Sequence, residues 1–147
     1  MKYTIYTDGA YSRLHDEGAF SFVILNEDGG EVLRMGHKIV HETNNRAELK
    51  AIIAAVYKLP KDATEARIIS DSMYALNTLQ GIWARNINHD LFDVWERTIN
   101  ERSDVELEFL WVKGHSGDDY NEICDQLCNQ VLGYDANAEF AKYKKNK

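Results

Sequence analysis

Two periodicities alternate along this chain. Lys2–Thr7 is rich in Tyr, Thr and Ile and predicts a strand that ends at Asp8-Gly9-Ala10. The polar stretch Tyr11–Glu17 predicts a loop. Ala19–Leu25 is largely apolar and predicts a second strand, Asn26-Glu27-Asp28-Gly29-Gly30 a turn, and Glu31–Val40 a third strand. Such short connections make a β-meander, hence antiparallel pairing.

After Val40 the period becomes helical. Thr43, Asn44 and Asn45 are N-cap residue types opening a helix to about Lys58, with Ile52, Ala55, Val56 and Leu59 on one face. Leu59-Pro60-Lys61-Asp62 breaks it, and Glu65–Ser70 follows as a short strand with a core-bound Ile68-Ile69 centre. Asp71-Ser72 caps a second helix through about Gln80. Asn88–Asn100 is amphipathic, with Leu91, Val94, Trp95 and Thr98 on one side. Val105–Val112 predicts a strand with Leu107, Phe109 and Trp111 on one face, and Lys113–Tyr120 a glycine-containing loop. Asn121–Leu132 predicts a helix, and Ala136–Lys147 a last helix fraying into a Lys-rich end. Three meander strands followed by helices and strands in alternation imply an α/β (α+β) mixed sheet with parallel strands added through helical crossovers.

The 147 residues suit one domain, residues 1–147, with no internal repeat or linker. A net charge of −7 argues against indiscriminate binding to polyanions. No run approaches the 18 or so apolar residues of a membrane span, and no signal peptide is visible at the start, so a cytoplasmic protein without membrane association is expected. Cys124 and Cys128, four apart on a helix, suit buried thiols in a reducing compartment better than a disulfide or a zinc site.

The candidate chemistry is carboxylate chemistry. Glu48 lies four residues before Ile52, on the inward face of its helix, where an ionised carboxylate needs a partner or a metal. A simpler role is support of the helix dipole or pairing with a neighbouring Arg. Asp8 ends the first strand and Asp71 the fourth; the helix between them is a natural right-handed crossover, so those strands are expected to be neighbours. Glu48 enters from that helix, and Asp125 from the helix behind the last strand. Four acids converging on one place need cations. Oxygen-only ligands suit Mg²⁺, with Mn²⁺ able to substitute, and two such ions would take the formal charge from −7 to −3. The reaction this implies is two-metal displacement at phosphorus.

The motifs Thr7-Asp8-Gly9, Asn44-Asn45-Arg46-Ala47-Glu48-Leu49, Ser70-Asp71-Ser72-x-Tyr74, Val112-Lys113-Gly114-His115 and Asn121-Glu122-x-Cys124-Asp125 occur in this order across the chain. Together the chain resembles ribonuclease H of type 1. The resemblance implies a ribonuclease H-like fold, a five-stranded mixed sheet with helices on both faces. It implies endonucleolytic cleavage of the RNA strand of an RNA–DNA hybrid, leaving 5′-phosphate and 3′-hydroxyl ends. By match of motif, Asp8, Glu48, Asp71 and Asp125 would bind the metals, Glu48 also meeting a 2′-hydroxyl, and His115 would assist proton transfer or product departure. An exposed loop histidine is the plainer alternative for His115.

The same resemblance places Asn44 and Asn45 in the minor groove and makes Thr43 with Asn88 a pocket for a DNA-strand phosphate. His41 stands where that pocket's basic residue is expected, and Trp83 where an aromatic meets the DNA sugar, though core packing would also explain it. The chain departs from the family pattern at Tyr11-Ser12-Arg13-Leu14-His15-Asp16-Glu17, where a Gly-rich loop is common, and at Met73, where a polar contact is common. The basic, Trp-rich protrusion of some bacterial members is missing. Lys142, Lys144, Lys145 and Lys147 offer a weak phosphate contact or simply a solvated tail. A monomer acting on hybrid duplex is expected. Two other classes remain to weigh. A DNA-directed nuclease of the same fold would need a dimer surface or further domains. A catalytically silent hybrid- or protein-binding module would not need all four acids.

Overall fold

A computed structural model describes residues 1–114 and 119–135; the helix expected over 136–147 and His115 lie outside the described residues. The elements in chain order are β1 (Lys2–Ser12), β2 (Glu17–Leu25), β3 (Glu31–Val40), α1 (Asn44–Tyr57), β4 (Glu65–Ser70), α2 (Met73–Leu79), α3 (His89–Glu101), β5 (Glu106–Trp111) and α4 (Asp119–Leu132). The strands form one five-stranded open sheet in the order β3-β2-β1-β4-β5. β1, β2 and β3 pair antiparallel, as a meander should, while β1–β4 and β4–β5 pair in parallel.

Helices cover both faces. α1, α2 and α3 bury Ile5, Phe22, Ile24, Leu49, Ile52, Val56, Ile68, Leu76 and Trp95 on one side. On the other, α4 covers Val23 and Leu25 with Cys124, Ile123 and Leu127. Because both of its faces are covered, β2 is buried from Gly18 to Leu25 and reads as a continuous apolar run rather than an alternation. Burying one Leu or Ile of this core contributes about 1.5–3 kcal/mol, so the α1 face is the main anchor of the helix that carries Glu48.

β1 does not stop at Thr7. It runs on through Asp8-Gly9 to Ser12, which pairs with Glu17, leaving only a short turn before β2. Strand continuation here is decided by the ladder to β2, which satisfies backbone groups whatever the side chains are. The parallel ladder to β4 ends earlier, at Tyr6 opposite Ile69. Asp8 is therefore mid-strand in β1, yet just past the end of the parallel pairing, which is where the sequence requires it to be.

The helix starts are capped by side chains where the sequence offers them. Thr43 accepts a bond from the Arg46 N–H at 3.2 Å, and Ser72, not Asp71, caps α2 by accepting from the Ala75 N–H at 3.0 Å. Asn88 precedes α3 with φ 63° and makes no cap bond with its side chain. α4 begins at Asp119, two residues before the expected start, with Asp119 and Glu122 placed favourably in its first turn.

Candidate active site

Asp8 from β1, Glu48 from α1 and Asp71 from the end of β4 each turn a carboxylate oxygen toward one point, the three oxygens lying within 4.8 Å of one another. Glu48 is carried inward by the same helix face that anchors α1 in the core. Asp71 follows the last residue of β4 and is half-buried. Its backbone carbonyl accepts the indole N–H of Trp111 at 3.1 Å, tying it to the neighbouring parallel strand. Gly114 passes so close that a Cβ there would lie 2.7 Å from Asp71 Oδ2. The segment after β5 thus closes over the third carboxylate only because it carries no side chain at that point.

The electrostatics follow from burial. Asp8 is 7% and Glu48 5% exposed. Desolvation raises the Asp8 pKa well above its ordinary value, and the charges of Asp71 and Asp125 raise it further. Glu48 is raised in the same way, by burial first and then by the charges of Asp8 and Asp71. Its Oε1 is buried and, among the described residues, meets no hydrogen-bond donor. An ionised carboxylate with a buried oxygen that has no donor, beside two other acids, is electrostatically costly unless a proton neutralises it or a cation fills the space. The donor set is all carboxylate oxygen, which matches a hard divalent ion. Asp125 lies on α4, half-buried, near enough for its charge to act on Asp8. Three of the four acids expected from the sequence have oxygens in mutual reach, and the fourth, Asp125, adds its charge to that of Asp71 on Asp8.

The remaining sequence candidates lie around the start of α1. Asn44 and Asn45 are exposed and line a cleft of about 660 Å³ with Tyr11, Arg13, Asp16, Glu42 and Thr43. Asn88 is joined to α1 through Arg46, whose Nη1 donates to Asn88 Oδ1 at 3.3 Å; the Asn88 amide donates in turn to Tyr74 Oη at 2.9 Å. Arg46 is thus tied to Thr43 by its backbone N–H and to Asn88 by its guanidinium. Its guanidinium forks onto Asp90 at 2.9 and 2.7 Å, while its Nε meets Glu42. These bonds raise the Arg46 pKa and hold the Asp90 carboxyl well below the usual range. His41 is exposed, adopts φ 55°, and pairs through Nδ1 with Asp16, which also accepts from the Tyr11 hydroxyl. Trp83 is 46% exposed, so core packing does not account for it.

Two relationships escape a linear reading. Arg46 finds Asp90 across 44 positions, and Ser21 sits opposite Asp8 in the β1–β2 register. The first has no sequence signal. The second has a faint one, a lone hydroxyl inside the apolar run Phe20-Ser21-Phe22-Val23-Ile24-Leu25.

Comparison with known proteins agrees with this geometry. The sequence profile of the RNase H family matches residues 1–132. A ribonuclease H of Trichodesmium erythraeum is 33% identical over 135 residues, covering 84% of this chain and 84% of that protein. Ribonuclease HI of Synechocystis sp. is 33% identical over 146 residues, covering 91% of this chain and 88% of that one. The crystal structure of RNase H1 from Halobacterium salinarum aligns with a TM-score of 0.75 at 27% identity, over 90% of this chain and 98% of that one. With the match running from β1 through α4, and Asp8, Glu48 and Asp71 gathered at the end of the parallel ladder, the chain belongs to the RNase H family.

Proposed function

We propose that the chain is a divalent-metal-dependent endoribonuclease that hydrolyses the RNA strand of RNA–DNA hybrids and leaves 5′-phosphate and 3′-hydroxyl ends. The observation that carries this reading is the Glu48 carboxylate, which has a buried Oε1 without a donor and clusters with those of Asp8 and Asp71. Asp8, Glu48, Asp71 and Asp125 hold two Mg²⁺ ions, with Mn²⁺ able to substitute. When bound, such ions supply an acidified water for attack at phosphorus and positive charge for the departing 3′ oxygen. The protein's part is to fix three acids from three elements before substrate arrives, so that no reorganisation is needed during the reaction.

Asn44 and Asn45, exposed at the start of α1, offer amides to the minor groove of the hybrid, where base edges and 2′-hydroxyls lie. Thr43, Arg46 and Asn88 receive a phosphate of the DNA strand, and Trp83 presents its exposed ring to the DNA sugar. His115, outside the described residues, assists proton transfer or product departure. The enzyme acts as a monomer in the cytoplasm, a setting that suits its two buried, unpaired cysteines. Among the described residues no helix is long and apolar enough to cross a membrane.

The test is incubation with labelled RNA–DNA hybrid, duplex RNA and duplex DNA, with Mg²⁺ or with a chelator. Cleavage of the hybrid alone, on its RNA strand and only with metal, is expected. Equal cutting of duplex DNA would point to a DNA-directed nuclease, and hybrid binding that survives chelation without turnover to a silent module.

A further inference from the structure

We infer that Ser21 is a positioning residue that sets Asp125 of α4 against Asp8 of β1. This rests on the proposed role of Asp125 as a metal ligand. Asp8 and Asp125 are far apart in sequence and sit on different layers, so something must fix the helix relative to the strand. Ser21 is the residue directly opposite Asp8 in the antiparallel β1–β2 ladder. It is fully buried, and its hydroxyl donates to the carbonyl of Cys124, the residue before Asp125, at 2.6 Å. One residue of the sheet thus touches both the strand that carries one acid and the backbone that carries the other.

The contact is discrete rather than slippery. The ladder of α4 uses one lone pair of the Cys124 carbonyl, and Ser21 takes the second. Sliding α4 by one residue would strand a buried hydroxyl within an apolar strand, which is costly. Neighbouring contacts repeat the same register. Cys128 Sγ lies 3.4 Å from Ser21 Oγ and 4.0 Å from the Asp8 carbonyl, and Cys124 Sγ lies 3.4 Å from the Tyr6 carbonyl. On β3, a Cβ at Gly36 would fall 2.8 Å from Val131 Cγ2 and 3.2 Å from the Leu127 carbonyl, so α4 lies hard against the sheet. Packing supplies the close approach, and the Ser21 hydroxyl supplies the register.

The test compares the full chain with Ser21→Ala, Asp125→Asn and the double variant. Mn²⁺ binding is measured by calorimetry without nucleic acid, alongside thermal melting and the Mg²⁺ concentration giving half-maximal hybrid cleavage. Loss of a group that orients a ligand typically weakens metal binding about tenfold or more, and that is expected for Ser21→Ala with the fold retained. With Asp125 already removed, the Ser21 change should weaken binding no further, because its effect runs through that ligand. Ser21→Cys keeps a weak donor and should fall between wild type and Ser21→Ala, and it serves if the alanine variant does not fold. A lower melting temperature with unchanged Mn²⁺ affinity, or full additivity in the double variant, would overturn the inference while leaving the Asp125 reading intact. Unchanged Mn²⁺ affinity in Asp125→Asn would overturn that reading, and this inference with it.

Discussion

Gly9 on β1 and Glu48 on α1 are so close that a Cβ at residue 9 would fall 2.9 Å from Glu48 Oε1 and 2.6 Å from the backbone C of Ala47 and N of Glu48. The strand holding the first acid and the helix holding the second touch through backbone, with no space for even a methyl group. Gly9→Ala must push the two elements apart. Overpacking of this kind costs about 1–3 kcal/mol, and it falls where the metal ligands meet. A lower melting temperature together with a loss of hybrid cleavage of about 10²-fold or more is expected. Wild-type cleavage by Gly9→Ala would show that this close approach is dispensable.

Asp71 sends its charge into both of its buried neighbours, raising Asp8 and Glu48 alike. Asp71→Asn removes that repulsion and one ligand together. Turnover should fall by about 10²-fold or more, as when a main transition-state stabiliser is removed. The metal-free protein should melt at the same temperature or higher, since a like-charge contact is relieved. Activity within about tenfold of wild type would mean the metals sit elsewhere.

The same burial sets a pH dependence. The folded pKa values of Asp8 and Glu48 lie above their ordinary values of 3.8 and 4.5. At these two sites the native state therefore binds more protons than the unfolded chain above about pH 4.5. Stability from this source is complete below the ordinary values and is lost as pH rises through the folded ones. Asp16, Glu17, Glu42 and Asp90 are lowered by their partners and act oppositely, losing their contribution as pH falls through their folded values. Metal-free protein should thus melt highest near pH 5 and lower at pH 8. Mg²⁺ should raise the melting temperature more at pH 8 than at pH 5.5, because the ligands must be ionised to bind it. Melting curves with and without Mg²⁺ measure this; a flat metal-free profile from pH 5 to pH 8 would contradict the buried-acid account.

What the sequence revealed and what it hid have a common physical basis. Asp8, Glu48 and Asp71 could be placed because each sits at a boundary that local chemistry announces, respectively a Thr-Asp-Gly motif, a run of cap residues and a strand-to-helix junction. The length of β1 was not legible, since Gly9 to Ser12 carries no apolar alternation and its strand state comes from pairing with β2. The partners of charged groups were equally hidden. His41 reads as a free base near the phosphate pocket, but its pairing with Asp16 depends on how a turn folds back. Arg46 reads as one more cation beside Glu48, and only the docking of α3 on α1 brings Asp90 to it.

The Arg46–Asp90 pair bears directly on substrate affinity. Hybrid binding draws largely on neutralised phosphates, with log K falling by about 0.9 per log unit of salt for each contact on B-form duplex. Beside Asn88 lies the Arg46 guanidinium, and both Glu42 and Asp90 already hold it. A shallow salt slope of roughly −2 to −4, with micromolar binding at moderate salt, is expected by the same rule. Asp90→Asn leaves the fold's contact with Arg46 in part but removes one competing anion, so a DNA phosphate gains the guanidinium more fully. Binding of labelled hybrid to Asp71→Asn/Asp90→Asn should be several-fold tighter than to Asp71→Asn at low salt, with a slope steeper by about one contact. The gain should shrink as salt rises. His41→Arg should strengthen binding less than Asp90→Asn does, because Asp16 sits against residue 41. Equal affinities and slopes with and without Asp90 would exclude Arg46 as a phosphate contact and move the electrostatic footprint to another face of the molecule.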